Sequence, residues 1–143
     1  MNFTNLRESR RWCGVFLALS IVAATAGNAQ AALRIGGTAL TANGQIAQGF
    51  QYTGSCPVSL KFDWGVISTE STAIAYSFTR SDGGQAGGSR TANLRANQSA
   101  PVFDSWRLGG KTPQFANYHG WVELNITSPH PLTRKINFTL HCK

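Results

Sequence analysis

The sequence predicts an all-β protein: a two-layered antiparallel sandwich closed by one disulfide and preceded by a cleaved signal peptide. Three observations predict it. After Ala31 no segment shows helical periodicity, whereas apolar and polar residues alternate with period two in run after run. Cys56 and Cys142 both fall on the inward phase of such runs. The first 31 residues have the layout of an export signal, so the two cysteines are expected in an oxidising compartment.

The signal reading comes from the order of residues. Arg7, Arg10 and Arg11 form a basic start, Gly14 to Ala26 is mostly apolar, and Ala29-Gln30-Ala31 offers a small-x-small cleavage site. The alternative is a retained anchor, but the apolar run is short and rich in alanine for a membrane span. Ser9-Arg10-Arg11 hints at the twin-arginine route, and Trp12-Cys13-Gly14 continues that pattern poorly, which favours the general one. Cys13 precedes the apolar run and is expected to leave with the signal. The expected location is secreted or periplasmic, with no stable membrane anchor after cleavage.

The elements follow in order. Leu33 to Thr41 and Gln45 to Thr53 supply one or two early strands, so 32–49 reads as an N-terminal strand or a linker ahead of a domain at 50–143. Cys56, Val58, Leu60 and Phe62 alternate with Ser59, Lys61 and Asp63. Ile74, Tyr76 and Phe78 repeat the pattern, and Asp82-Gly83-Gly84 with Gly87-Gly88 marks a hairpin loop. Ser89 to Asn97 is a weaker strand. Val102, Trp106 and Leu108 alternate with Ser105 and Arg107 up to a Gly109-Gly110 stop. Val122, Leu124 and Ile126 form the next strand, and Ile136, Phe138, Leu140 and Cys142 the last, separated by Ser128-Pro129-His130-Pro131. One polar face per strand suits an antiparallel sandwich. About seven or eight short strands with frequent turns read as an immunoglobulin-like sandwich or a relative of it. Joining Cys56 to Cys142 closes most of the domain into one loop, and the competing reading is two buried free thiols.

The runs Gly54-Ser55-Cys56-Pro57-Val58-Ser59-Leu60-Lys61-Phe62, Ala75 to Gly83 with its Arg80-Ser81-Asp82-Gly83 turn, Asp104-Ser105-Trp106-Arg107-Leu108-Gly109, Gly120-Trp121-Val122-Glu123-Leu124 and Asn137 to Cys142 carry a resemblance. Over most of residues 50–142 the chain resembles small secreted bacterial proteins with a single immunoglobulin-like domain. The resemblance implies fold and export, and no activity. The cysteine spacing departs from antibody domains, since Cys142 closes the last strand and no tryptophan follows Cys56 at a short step.

Chemistry is sparse. His119, His130 and His141 form no paired ligand motif, and no cofactor or metal is expected. There is no Gly-x-Ser-x-Gly elbow, and the glycines at 83–88 lack the Lys-Ser/Thr of a phosphate loop. Asp63, Glu70, Asp104 and Glu123 are the carboxylates from which a catalytic pair would be drawn, with nothing to place two of them together. No catalytic residue is assigned and no enzyme is expected. The full chain carries a formal charge of +7. From Ala32 onward the balance is ten Lys or Arg against five Asp or Glu, a scattered +5 with no basic run, which reads first as a soluble basic surface and otherwise as attraction to anionic envelope polymers, lipid headgroups or nucleic acid. The expected partner is a protein or an anionic polysaccharide, with no specific nucleic acid. Trp64, Phe103, Phe115, Tyr118 and Trp121 read as off the inward phase or in loops, and with Arg107 they make the candidate binding surface. Trp64 is counted among them although, like Trp106, it is expected mainly in the core or at its rim. The sequence therefore predicts an exported, non-catalytic module that recognises a protein or polysaccharide at the cell envelope or beyond. The alternative is an assembly subunit that adds its N-terminal segment to a neighbour's sheet, and a small hydrolase or metal enzyme comes third.

Overall fold

The computed structural model describes residues 31–143 apart from Gln85. The signal-peptide reading and Cys13 lie outside the described residues. Nine strands form, with no α-helix among the described residues: β1 (Leu33–Ala42), β2 (Gln45–Ile46), β3 (Gln51–Gly54), β4 (Val58–Ser68), β5 (Thr72–Arg80), β6 (Arg90–Leu94), β7 (Ser99–Leu108), β8 (Tyr118–Ser128) and β9 (Leu132–Cys142). They make two sheets, one ordered β2-β1-β4-β7 and the other β3-β9-β8-β5-β6. Pairing is antiparallel except for β3 with β9.

The all-β reading and the strand order along the chain stand. Of the two readings for 32–49, strand is the one that forms, and it is no appendage: β1 pairs with β4 from Leu33 to Ala42, and Leu40 and Ala42 are buried in the common core. The stretch 45–53 breaks into β2, a 3₁₀ turn at Gln48–Phe50, and β3. Gly49 and Phe50 take positive φ there, +61° and +57°, which ends one pairing and redirects the chain to the second sheet.

Alternation builds the core. Along β4, Val58, Leu60, Phe62, Trp64 and Val66 are buried, while the residues between them are exposed or half-buried. Phe78, Val102, Leu124, Ile126, Phe138 and Leu140 meet them from the other strands. Each such side chain removed from water contributes about 1.5–3 kcal/mol. Phe62 stacks at a tilt on Phe138, and Trp64 on Phe78, with centroids 5.1 and 5.2 Å apart. Both pairs join one sheet to the other.

Two further devices hold the layers together. Cys56, just ahead of β4, is bonded to Cys142 at the end of β9, with Cα atoms 5.4 Å apart and the residues 86 positions apart in sequence. Gly109 passes over this bridge with φ +96°, and a Cβ there would lie 2.7 Å from one sulfur and 3.0 Å from the other. No other residue type fits both conditions. Along the open side, Asp104 on the edge strand β7 points inward and is only 2% exposed. Arg80 at the end of β5 reaches it through Nε at 3.0 Å and Nη2 at 2.9 Å. Arg90 at the start of β6 lies 3.8 Å from its other oxygen. The same arginines donate to the carbonyls of Ser105 and Phe103, and their guanidinium groups lie over Trp106 and Phe78. A buried carboxylate is tolerable here because paired cations and hydrogen bonds replace the water it gave up.

Candidate functional site

The outward phase of the four-stranded sheet carries a depression of about 460 Å³. Its floor follows from residue size. On β4 the outward residues are Ser59, Lys61, Asp63, Gly65 and Ile67. Gly65 stands opposite Gly37 on β1, so the row across these two strands carries no side chain, and Pro101 on β7 closes it with a compact ring. On one side runs the row Arg34–Ile67–Ser99, and on the other Ala39–Asp63–Phe103. Rows two residues apart on a strand are about 7 Å apart, so Asp63 and Ile67 bound a trough roughly 14 Å across between Cα atoms.

The glycines are specific to this shape. A β-bulge at Gly36 shifts the β1 register between Ile35 and Gly37. A Cβ on Gly36 would press to 2.6 Å on Ile67 Cδ1, and one on Gly65 to 2.7 Å on Ser99 Oγ. A Cβ on Gly37 would meet nothing within 4 Å and would simply stand in the trough.

Polar and aromatic groups rim this floor. Phe103 is 47% exposed, far more than any core aromatic. Lys61 Nζ lies 4.6 Å from the centre of its ring and 2.7 Å from Asp63 Oδ1. The lysine is thereby held over the ring by a cation–π contact on one side and a carboxylate on the other. Arg107 is outward further along β7, opposite Ser59. With Arg34 and Lys61 it makes three cations on this face against one carboxylate, Asp63. The floor offers apolar contact, the rim offers cations, a hydroxyl at Ser99 and one aromatic face. Asp63 is the sole carboxylate lining the trough, and no histidine or cysteine lines it. Among the described residues no group of three or more His, Cys, Asp or Glu side chains is placed to hold a metal ion.

The six residues singled out from the sequence do not converge. Trp64 is a correction: it is 0% exposed, because it continues the inward phase of Phe62 and packs on Phe78, so it belongs to no surface. Among the described residues its indole Nε1 has no hydrogen-bond partner. Phe115 and Tyr118 stack on each other at 5.5 Å and, through Phe138, cover one end of the core, with the Tyr118 hydroxyl 3.2 Å from Ser81 Oγ. Phe103 and Arg107 share the trough face. Trp121 is outward on the opposite sheet, with Lys135 Nζ 4.2 Å from its ring. The residues that sequence reasoning missed are Lys61, Asp63, Gly37 and Gly65. The alternation of β4 already turned three of them outward, but only the register with β1 and β7 brings them beside Phe103.

A scan against protein-family models finds no match for this chain, and a search of the curated proteins finds none either.

Proposed function

We propose that the protein is an exported, non-catalytic, immunoglobulin-like module that binds an anionic polysaccharide in the trough of its four-stranded sheet. The observation that carries this reading is the glycine-floored trough beside an exposed Phe103 whose ring is crossed by Lys61. A sugar ring has an apolar C–H face and a rim of hydroxyls. It asks for a flat apolar floor or aromatic face with a few polar groups around it. A polymer bearing carboxylates adds a demand for cations, which Arg34, Lys61 and Arg107 meet.

Export is supported by the basic, apolar and small-x-small order of the first 31 residues. The Cys56–Cys142 bridge is compatible with it, and among the described residues no helix is long and apolar enough to cross a membrane. The immunoglobulin-like reading is supported by strand order. β1-β4-β7 facing β9-β8-β5 follows the A-B-E and G-F-C order of such domains. The bridge departs from theirs by tying the approach to the second strand to the end of the last.

The test is affinity electrophoresis and calorimetry of the processed protein with polygalacturonate, and with neutral dextran as control. The expected result is retardation by polygalacturonate alone, with Phe103→Ala weakening binding about tenfold, or about 1.4 kcal/mol. Equal mobility in both polymers would sink the proposal.

A second reading, assembly through strand addition, is favoured by one specific observation. From Leu33 to Ala39, β1 has β4 as its only strand partner among the described residues, because β2 covers just Thr41 and Ala42. That leaves an edge open to another chain. Sedimentation at high protein concentration tests it, and a strictly monomeric protein would exclude it.

A further inference from the structure

The opposite outer face repeats the arrangement around Phe103 with different residues. On β8, Trp121 and Glu123 point outward two residues apart, and on β9 Lys135 stands opposite Glu123. Lys135 Nζ lies 4.2 Å from the Trp121 ring and 3.6 Å from Glu123 Oε2. On the first face the same three roles fall to Phe103, Lys61 and Asp63. In both places a lysine is held over an aromatic ring by a carboxylate on a neighbouring residue position. In both places a depression adjoins the ring. Beside Trp121 it measures about 260 Å³ and is bounded by Phe50 of the 3₁₀ turn and by His119, Asn137 and Thr139. His119 Nδ1 and Thr139 Oγ1 are 3.2 Å apart, and Asn137 stands directly opposite Trp121. This second depression is therefore more polar than the glycine trough, with an amide, an imidazole and a hydroxyl around one indole face.

We infer that the Trp121–Lys135 face is a second site for the same anionic polysaccharide, so that each protein molecule bridges two polymer segments. The inference rests on the polysaccharide reading of the first face. Geometry makes it bridging rather than additive. The two sites lie on the outer faces of sheets packed back to back about 10 Å apart, and they look in opposite directions. A stiff stretch of polymer lying on one face cannot reach the other, so the second site takes another chain or a distant part of the same one. Carboxylates on the polymer compete with Glu123 for Lys135, and displacement of the lysine from the ring opens the indole for stacking. The two faces differ in one useful respect. Trp64 and Trp106 are buried, so Trp121 is the one half-exposed indole among the described residues, and its fluorescence reports on the second face alone.

The experiment uses the processed protein with short oligogalacturonate for stoichiometry and with polygalacturonate for cross-linking. The expected result is two oligosaccharide equivalents per chain by calorimetry, a fluorescence change on binding, and turbidity with the polymer that rises and then falls as protein is added. Phe103→Ala and Trp121→Ala should each bind one equivalent and abolish the turbidity, and Lys135→Ala should weaken the fluorescence-reported site at least about fivefold while keeping the indole. Circular dichroism establishes that each variant is folded. One equivalent in the wild type that vanishes with Phe103→Ala and is untouched by Trp121→Ala overturns this inference and leaves the trough reading intact. One equivalent that vanishes only with Trp121→Ala overturns the trough reading and, with it, bridging. Two equivalents with no turbidity also overturn bridging. Turbidity from a dimer with one site per chain is told apart by the stoichiometry.

Discussion

Asp104 is the residue whose placement is least expected and most consequential. A carboxylate in the inward phase of a strand reads, in sequence, as an interruption, and Val102, Trp106 and Leu108 were legible around it only because they are apolar. What makes it tolerable is held 24 residues upstream, in Arg80, and no local pattern announces that partnership. Asp104→Ala strands Arg80 without its counter-charge beneath Trp106, and it should lower stability by about 3–5 kcal/mol in urea titration. An effect below about 1 kcal/mol would mean that the ion pair is dispensable. Trp64 is the converse case. The sequence reading puts it off the inward phase, although its even spacing from Phe62 places it on that phase, and among the described residues its indole N–H has no hydrogen-bond partner, so nothing polar is lost when it becomes phenylalanine. Trp64→Phe should cost about 1–2 kcal/mol and Trp64→Ala about 3–5 kcal/mol by the same measurement.

The strands show where alternation informs and where it falls silent. β4, β7, β8 and β9 alternate cleanly because one face of each is buried and the other wet, and these are the strands whose residues could be sorted in advance. The segment 45–53 was not resolvable in that way. Its division into two short strands depends on positive φ at Gly49 and Phe50, and phenylalanine gives no sign of that conformation. The trough was hidden for a different reason. It is a property of three strands in register plus a bulge at Gly36, so the glycines at 37 and 65 look like unrelated weak points until β1 and β4 are laid side by side. Filling it should be informative. Gly37→Leu places a side chain in open space, and it should reduce polygalacturonate binding at least about tenfold while urea titration shifts by less than about 1 kcal/mol, within the range typical of surface substitutions. Unchanged affinity would remove the trough from the binding account. Gly109 lies under a tighter constraint, since its positive φ and the sulfurs beneath it both exclude a Cβ. Gly109→Ala should destabilise by about 1–3 kcal/mol, measured against the oxidised parent.

Across the whole molecule, the disulfide and the distribution of charge set the behaviour. The bridge closes a loop of 86 residues, for which chain entropy gives about 4–5 kcal/mol. Replacing both cysteines by alanine should lower the urea midpoint accordingly, and a change under about 1 kcal/mol would show that the two-sheet core suffices alone. If the proposed polysaccharide binding is driven by Arg34, Lys61 and Arg107, it should weaken as ionic strength rises from about 0.01 M to about 0.15 M, where the Debye length shrinks from about 30 Å to about 8 Å. Salt-independent affinity would point to stacking and hydrogen bonding alone.

The guanidinium groups of Arg80 and Arg90 have a consequence that reaches beyond stability. By donating to the carbonyls of Ser105 and Phe103 on β7, they take up two acceptors along that margin of the sheet, whereas β1 from Leu33 to Ala39 has no second strand beside it among the described residues. A filament needs two adhesive ends on every unit, and here the β7 end is the poorer one. Edge-to-edge growth from β1 would therefore favour a pair over a filament, with the arginines as the obstacle.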